Sequence, residues 1–225
     1  MPATDAVPTA GAVPTTVDRG LGRLHVLTDA RDGRSPLTVV AAALAGGAPV
    51  IQVRAKGCTD RELYEFALRV VDLCAAYGAL CLVNDRPDVA LAVRAGGVHL
   101  GAEDLPVAAA RRVLGPASVV GGTARAPAAA RALVDDGASY LGVGPAYATA
   151  TKDGLPAPLG PAGVGAVAAA VAVPVIAIGG ITADRVPELL AAGAYGVAVV
   201  SAVSAAADPE AATRRLLAAL GADDR

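Results

Sequence analysis

The chain has 225 residues, 54% of them apolar and 18% charged, with a formal charge of −2. That length supports one well-buried core and argues against two domains. A near-neutral balance with only 3% aromatics excludes a basic nucleic-acid surface. No apolar run reaches the roughly 18 residues that a membrane helix needs, so neither nucleic acid nor a membrane is an expected partner.

Residues 1–20 are rich in Ala, Pro, Thr and Val, with no charged start and no continuous apolar stretch. They read as a disordered leader rather than a signal peptide, so the expected location is cytoplasmic. Residues 221–225 read as a short polar tail. Between them, residues 21–220 are expected to form a single domain. Cys58, Cys74 and Cys81 are odd in number and lack metal-ligand spacing, so no disulfide framework or zinc site is expected.

From residue 23 onward a short apolar run, a loop and a helical pattern recur every 20 to 30 residues. Strands are predicted over 24–28, 49–53, 79–83, 97–100, 118–121, 139–143, 174–178 and 195–200. Helices are predicted over 36–46, 60–77, 87–95, 106–114, 127–136, 161–172, 183–192 and 208–220. The second helix is the clearest. Leu63, Phe66, Ala67, Val70, Cys74 and Tyr77 share one face, Thr59 or Asp60 starts it and Gly78 ends it. Pro106, Pro127 and Pro161 stand near helix starts, where a missing N–H costs nothing. Eight such repeats predict an α/β fold, a single-domain (β/α)₈ TIM barrel, with a doubly wound open sheet as the alternative.

In such a barrel the chemistry sits at the C-terminal ends of the strands. After strand 2 the chain reads Gln52-Val53-Arg54-Ala55-Lys56, with the polar residues at alternate positions of an extended backbone. Arginine and lysine there suit phosphate oxygens. Asn84-Asp85 follows strand 3, and Glu103-Asp104 follows strand 4. Carboxylates from the ends of successive strands can share one hard cation, usually Mg²⁺ holding a phosphate. Each aspartate alone could equally cap the next helix. The loop after strand 6 is long and carries Thr149-Ala150-Thr151-Lys152, two hydroxyls and a cation apt for oxyanions. It is expected to act as a lid with hinges at Gly154 and Gly160. Strand 7 ends in Gly179-Gly180 and strand 8 in Val200-Ser201, the usual phosphate region of this barrel.

These loops together resemble the thiamine-phosphate synthase family over residues 23–220. The segments that carry the resemblance are QVRAK at 52–56, VND at 83–85, GVHLGAED at 97–104, GVGPAYATATK at 142–152, IGGI at 178–181 and VVSAVS at 199–204. The resemblance implies an Mg²⁺-dependent transferase. It would join a pyrimidinylmethyl diphosphate to a thiazole phosphate and release pyrophosphate. It also implies roles. Gln52, Val53, Arg54, Ala55, Lys56 and Asn84 would bind the pyrimidine diphosphate, and Asp85 and Asp104 would ligate Mg²⁺. Thr123 and Lys152 would touch the diphosphate. Thr149, Ala150, Thr151, Gly180, Val200 and Ser201 would hold the thiazole phosphate. Arg54, Lys56, Lys152 and Thr123 would be catalytic. The family often has Ser at the position of Thr123, which keeps the hydroxyl, and Gln at that of Ala102.

The residues agree with such chemistry. No Ser-His-Asp or Cys-His set is apparent, and His25 and His99, the two histidines, lie within strand-like runs. Ionising a C–O bond to a diphosphate calls for charge neutralisation rather than a histidine base. Two other readings compete: a thiazole tautomerase-like isomerase, and a non-catalytic phosphate-binding barrel. The first would call for an acid or base near strand 5, where Ala124-Arg125 stands. The sequence leaves open a homo-oligomer and a carboxylated thiazole.

Overall fold

Alternating apolar runs and amphipathic segments close into one ring in the computed structural model, which describes residues 20–28, 35–149, 151 and 154–221. The strands are β1 (Leu24–Leu27), β2 (Val50–Val53), β3 (Leu80–Asn84), β4 (Gly97–Leu100), β5 (Val119–Ala124), β6 (Tyr140–Val143), β7 (Val175–Ile178) and β8 (Gly196–Val199). All neighbours are parallel, and pairing of Val26 with Val199 closes β1 onto β8. The expected (β/α)₈ barrel is therefore present. The leader and the tail lie outside the described residues, apart from Gly20 and Gly221.

The helices follow their strands in turn: α1 (Pro36–Ala45), α2 (Asp60–Ala76), α3 (Pro87–Ala92), α4 (Val107–Leu114), α5 (Pro127–Asp135), α6 (Gly160–Ala168), α7 (Val186–Ala191), α8 (Ser201–Ser204) and α9 (Pro209–Ala219). A 3₁₀ turn, Ala183–Arg185, leads into α7. Helix α2 starts where a capping box predicts. Thr59 accepts from the Glu62 amide, and Glu62 accepts from the Thr59 amide. The four-residue α8 was not expected from the sequence. Among the described residues, no helix is long and apolar enough to cross a membrane.

Strand alternation separates two apolar layers. Val26, Ile51, Val53, Val83, Val98, Leu100 and Leu141 face the helices in the larger cluster. Leu27, Val50, Leu82, Val119, Tyr140, Ile176 and Ala198 fill the lumen. Cys74 and Cys81 are buried in the outer layer, as their apolar surroundings predict, and Cys58 is exposed. Four lumen-side or strand-start glycines allow close packing. At Gly97, for example, a Cβ would lie 1.8 Å from the Val119 carbonyl oxygen.

His25 is fully enclosed on β1. Burial first, then the nearby His99, lowers its pKa to about 3. The folded protein therefore keeps His25 neutral, while the unfolded chain protonates it near 6.5. The stabilisation is full above that value and is lost as pH falls towards the folded pKa. Between pH 6 and 5 this single group should lower the unfolding free energy by about 1 kcal/mol per pH unit. Urea unfolding at both pH values checks it: wild type should lose more stability on acidification than His25→Gln. Equal losses would contradict the assignment.

Candidate active site

The C-terminal ends of the strands carry the polar groups, and local backbone geometry fixes them. Residues 52–56 split by alternation. Gln52 is buried in the lumen, whereas Val53 packs into the outer layer and Ala55 against it. Val53 and Ala55 can therefore meet a ligand only through their backbone. Arg54 and Lys56 lie beyond the strand. The Arg54 segment is held by Thr28, at the end of β1. The Thr28 hydroxyl accepts from the Arg54 amide at 2.8 Å and donates to its carbonyl at 2.8 Å. Thr28 is 4% exposed. Its role escaped the sequence because 26 residues separate the partners.

Asp85 follows β3 with φ 67°, a left-handed conformation in which Asp and Asn are among the better tolerated non-glycine residues. Its amide donates to the His99 carbonyl at 2.8 Å, tying it to β4. Its carboxylate forms an ion pair with Lys56. Asp104 turns back over its own loop and accepts from the Gly101 amide at 2.7 Å. The two aspartates also hydrogen-bond to each other. Neither caps a helix: α3 starts from Arg86 and α4 from Pro106. The helix-cap alternative is thereby removed.

The electrostatics follow from that contact. Partial burial pushes the Asp85 carboxyl up, but hydrogen bonds from Asp104 and Lys56 outweigh it and hold the pKa below the ordinary value. Desolvation and then the Asp85 carboxylate push Asp104 up. Two carboxylates in mutual contact, with one favouring its proton, leave a place where a cation relieves the repulsion. No group of three or more His, Cys, Asp or Glu that could hold a metal occurs among the described residues. Two carboxylates nevertheless suit Mg²⁺, which commonly takes one or two and completes its shell with waters and phosphate oxygens. The donor set therefore fits the expected ion.

Asn84 is the last residue of β3, and Thr123 lies inside β5 rather than in the following loop. Both are partly buried. The sequence reading ended those strands early, at 83 and 121. Thr123 Oγ1 lies 3.0 Å from His99 Nε2.

Loops after β6 and β7 are zipped together. The Ala146 and Tyr147 amides donate to the Ile178 and Gly179 carbonyls at 2.8 and 3.0 Å. Arg185 donates to the Gly180 carbonyl at 2.6 Å and sits 4.5 Å over the Tyr147 ring. Gly180 has φ 62°, and a Cβ there would meet the Ala148 carbonyl oxygen at 2.4 Å. Gly180 is thus required for loop packing as well as for any close ligand approach. The Thr149 hydroxyl donates to that of Thr151 at 3.1 Å and accepts from its amide at 3.2 Å. Val200 borders the lumen cluster, and Ser201 is exposed at the start of α8. Ala150 and Lys152 lie outside the described residues.

The lid expectation changes at its far end. The Leu159 and Gly160 amides donate to the Pro145 and Ala146 carbonyls at 2.9 and 3.0 Å. Arg125 donates to the Gly144 and Ala157 carbonyls at 2.7 and 2.8 Å. In this conformation Gly160 is tied to the loop after β6, with φ 63°. Arg125 is a backbone tie, and Ala124 faces the outer layer, so the end of β5 presents no acid or base for a tautomerase.

Fold and mouth together define a single-domain (β/α)₈ barrel whose strand ends gather cations, hydroxyls and a metal-ready carboxylate pair. The sequence profile of thiamine monophosphate synthase matches residues 24–203. A thiamine-phosphate synthase of Salinispora tropica is 63% identical over 203 residues, covering 89% of this chain and 98% of that protein. One from Haloquadratum walsbyi is 50% identical over 190 residues, covering 84% and 85%. The solved thiamine phosphate pyrophosphorylase of Pyrococcus furiosus superposes with a TM-score of 0.81 at 38% identity, covering 89% of this chain and 96% of that one. The chain belongs to the thiamine monophosphate synthase family. It is an enzyme, a transferase of thiamine biosynthesis.

The Thr28 contact generates a prediction. Thr28→Val keeps the shape but leaves the Arg54 amide and carbonyl without their shared partner. It should destabilise the fold by about 1–3 kcal/mol, and Thr28→Ser should restore most of that. Denaturant midpoints of the two variants check it; a neutral Thr28→Val would show that solvent replaces the hydroxyl.

Proposed function

We propose that this enzyme condenses 4-amino-2-methyl-5-(diphosphooxymethyl)pyrimidine with 4-methyl-5-(2-phosphoethyl)thiazole, giving thiamine phosphate and pyrophosphate. The observation that carries the reading is the contact set of Lys56, Asp85 and Asp104, beside Arg54 at the same end of the barrel. A cation-rich rim next to a carboxylate pair is what a metal-bound diphosphate requires.

In this reading Arg54, Lys56 and Lys152 face the diphosphate oxygens, and Thr123 donates its hydroxyl to them. Asn84 and Gln52 hold the pyrimidine side, and Val53 and Ala55 line that half through their backbone. When bound, Mg²⁺ held by Asp85 and Asp104 would offset the charge of the diphosphate. The C–O bond of the pyrimidinylmethyl diphosphate breaks and its electron pair leaves with pyrophosphate. The ring amino group supports the resulting cation. The lone pair of the thiazole nitrogen then forms the new C–N bond. Thr149, Ala150, Thr151, Gly180, Val200 and Ser201 hold the thiazole phosphate so that this nitrogen faces the cation. No side chain has to accept a proton in the bond-breaking step. Arg54, Lys56 and Lys152 act by stabilising charge that grows as the leaving group departs.

Two sets of variants test the division of labour. Asp85→Asn suits the left-handed backbone better than alanine would. Asp85→Asn and Asp104→Asn should each lower kcat/KM about 10²-fold or more. Their melting temperatures should barely change, since partly exposed carboxylates add little stability. Normal turnover of both would remove the metal assignment. Arg54→Ala, Lys56→Ala and Lys152→Ala should lower kcat with the diphosphate substrate. Thr149→Ala and Ser201→Ala should mainly raise KM for the thiazole phosphate. Equal effects of all five on both substrates would defeat the proposed division.

A further inference from the structure

A file of polar side chains crosses the lumen and ends at Thr123. Tyr140, on β6, is 1% exposed, and its hydroxyl has one hydrogen-bond partner among the described residues. It lies 2.9 Å from His99 Nδ1. On the far side of the ring, His99 Nε2 lies 3.0 Å from Thr123 Oγ1. Tyr140, His99 and Thr123 come from β6, β4 and β5, three neighbouring strands of the ring.

Two glycines make room for the rings. A Cβ on Gly121 would lie 2.3 Å from Tyr140 Cζ and 2.6 Å from His99 Nδ1. A Cβ on Gly142 would lie 2.8 Å from His99 Cε1. Lumen positions of such barrels usually carry bulky branched residues. Here β5 and β6 give up side chains to seat an imidazole and a phenol.

The direction of the file follows from counting protons. A phenol keeps its proton at neutral pH and must place it on an acceptor when buried, whereas either imidazole nitrogen can be bare. The Tyr140 hydroxyl therefore gives its proton to His99 Nδ1, its one partner among the described residues. With Nδ1 accepting, the ring cannot hold both protons and is neutral. A neutral imidazole has one N–H, which must then sit on Nε2. That N–H donates to Thr123 Oγ1, which leaves the threonine proton for a third partner.

We propose that Tyr140 and His99 form a one-way hydrogen-bond relay that holds Thr123 as a donor toward an anion in the barrel mouth. Tyr140 and His99 are then positioning residues, with Thr123 as the only member of the relay that donates to the ligand. The inference rests on the proposed reading that Thr123 meets a diphosphate.

Two measurements test it. In protein labelled with ¹⁵N-histidine, wild-type His99 should carry its proton on Nε2, with His25→Gln used to assign the two rings. Tyr140→Phe should release the ring into the other tautomer. Calorimetric titration with inorganic pyrophosphate and Mg²⁺ gives the second readout. Tyr140→Phe and Thr123→Ala should each weaken binding about tenfold. The double variant should be no weaker than Thr123→Ala, and Thr123→Ser should bind like wild type. A proton on Nδ1 in wild type, or penalties that multiply in the double variant, would overturn the relay. If Asp85→Asn loses binding but Thr123→Ala does not, the relay fails and the anion site stands. If neither variant loses binding, the anion site fails and the relay with it.

Discussion

Closing eight parallel strands into a ring removes every free sheet edge and turns all the C-terminal strand ends to one side. Residues far apart in the chain then meet at one rim. Lys56, Asp85 and Asp104 come from the ends of β2, β3 and β4, which pair in register as Val53 with Val83 and Asn84 with His99. A slip of one residue would turn each alternating set to the opposite face. The rim chemistry therefore depends on the same register that packs Val53, Val83 and Val98 against the helices.

Rim and lumen differ in how they handle polarity. At the rim, charge is concentrated in the open. Lys56 is 60% exposed and Asp85 19%, so their ion pair contributes little to stability. Its worth lies in presenting charge to a ligand. In the lumen, charge is avoided. His25 and His99 are held neutral, and Tyr140 is satisfied by its neighbours. Buried polar groups of this kind are tolerated because they are hydrogen-bonded. His25 Nδ1 is the exception among the described residues, with no partner on its buried lone pair.

The fold was legible because its periodicities are clean. Runs such as Leu80-Cys81-Leu82-Val83 and the one-sided face of α2 mark strand and helix without reference to distant contacts. Misses came where local signals compete with tertiary demands. Gly121-Gly122 reads as a break, yet β5 continues through it because His99 and Tyr140 need the space. Helix α8 is four residues long, too short to leave a periodic trace. In the site, the charged residues were legible from composition at strand ends. The contacts of Thr28 with Arg54, and of His99 with Tyr140 and Thr123, were not. They depend on which strands adjoin and which side chains share a layer. The tie at Gly160 was hidden for a related reason: a glycine's freedom is visible in sequence, but its hydrogen bond to Ala146 is not.

The central claim is that the rim works on a metal-bound diphosphate. The most direct test is pyrophosphate release from the purified enzyme with both proposed substrates present, measured with Mg²⁺ and then with the metal chelated. The account predicts release only when both substrates and Mg²⁺ are present, in step with formation of thiamine phosphate. Release that persists undiminished after chelation, or none under any condition, would contradict it.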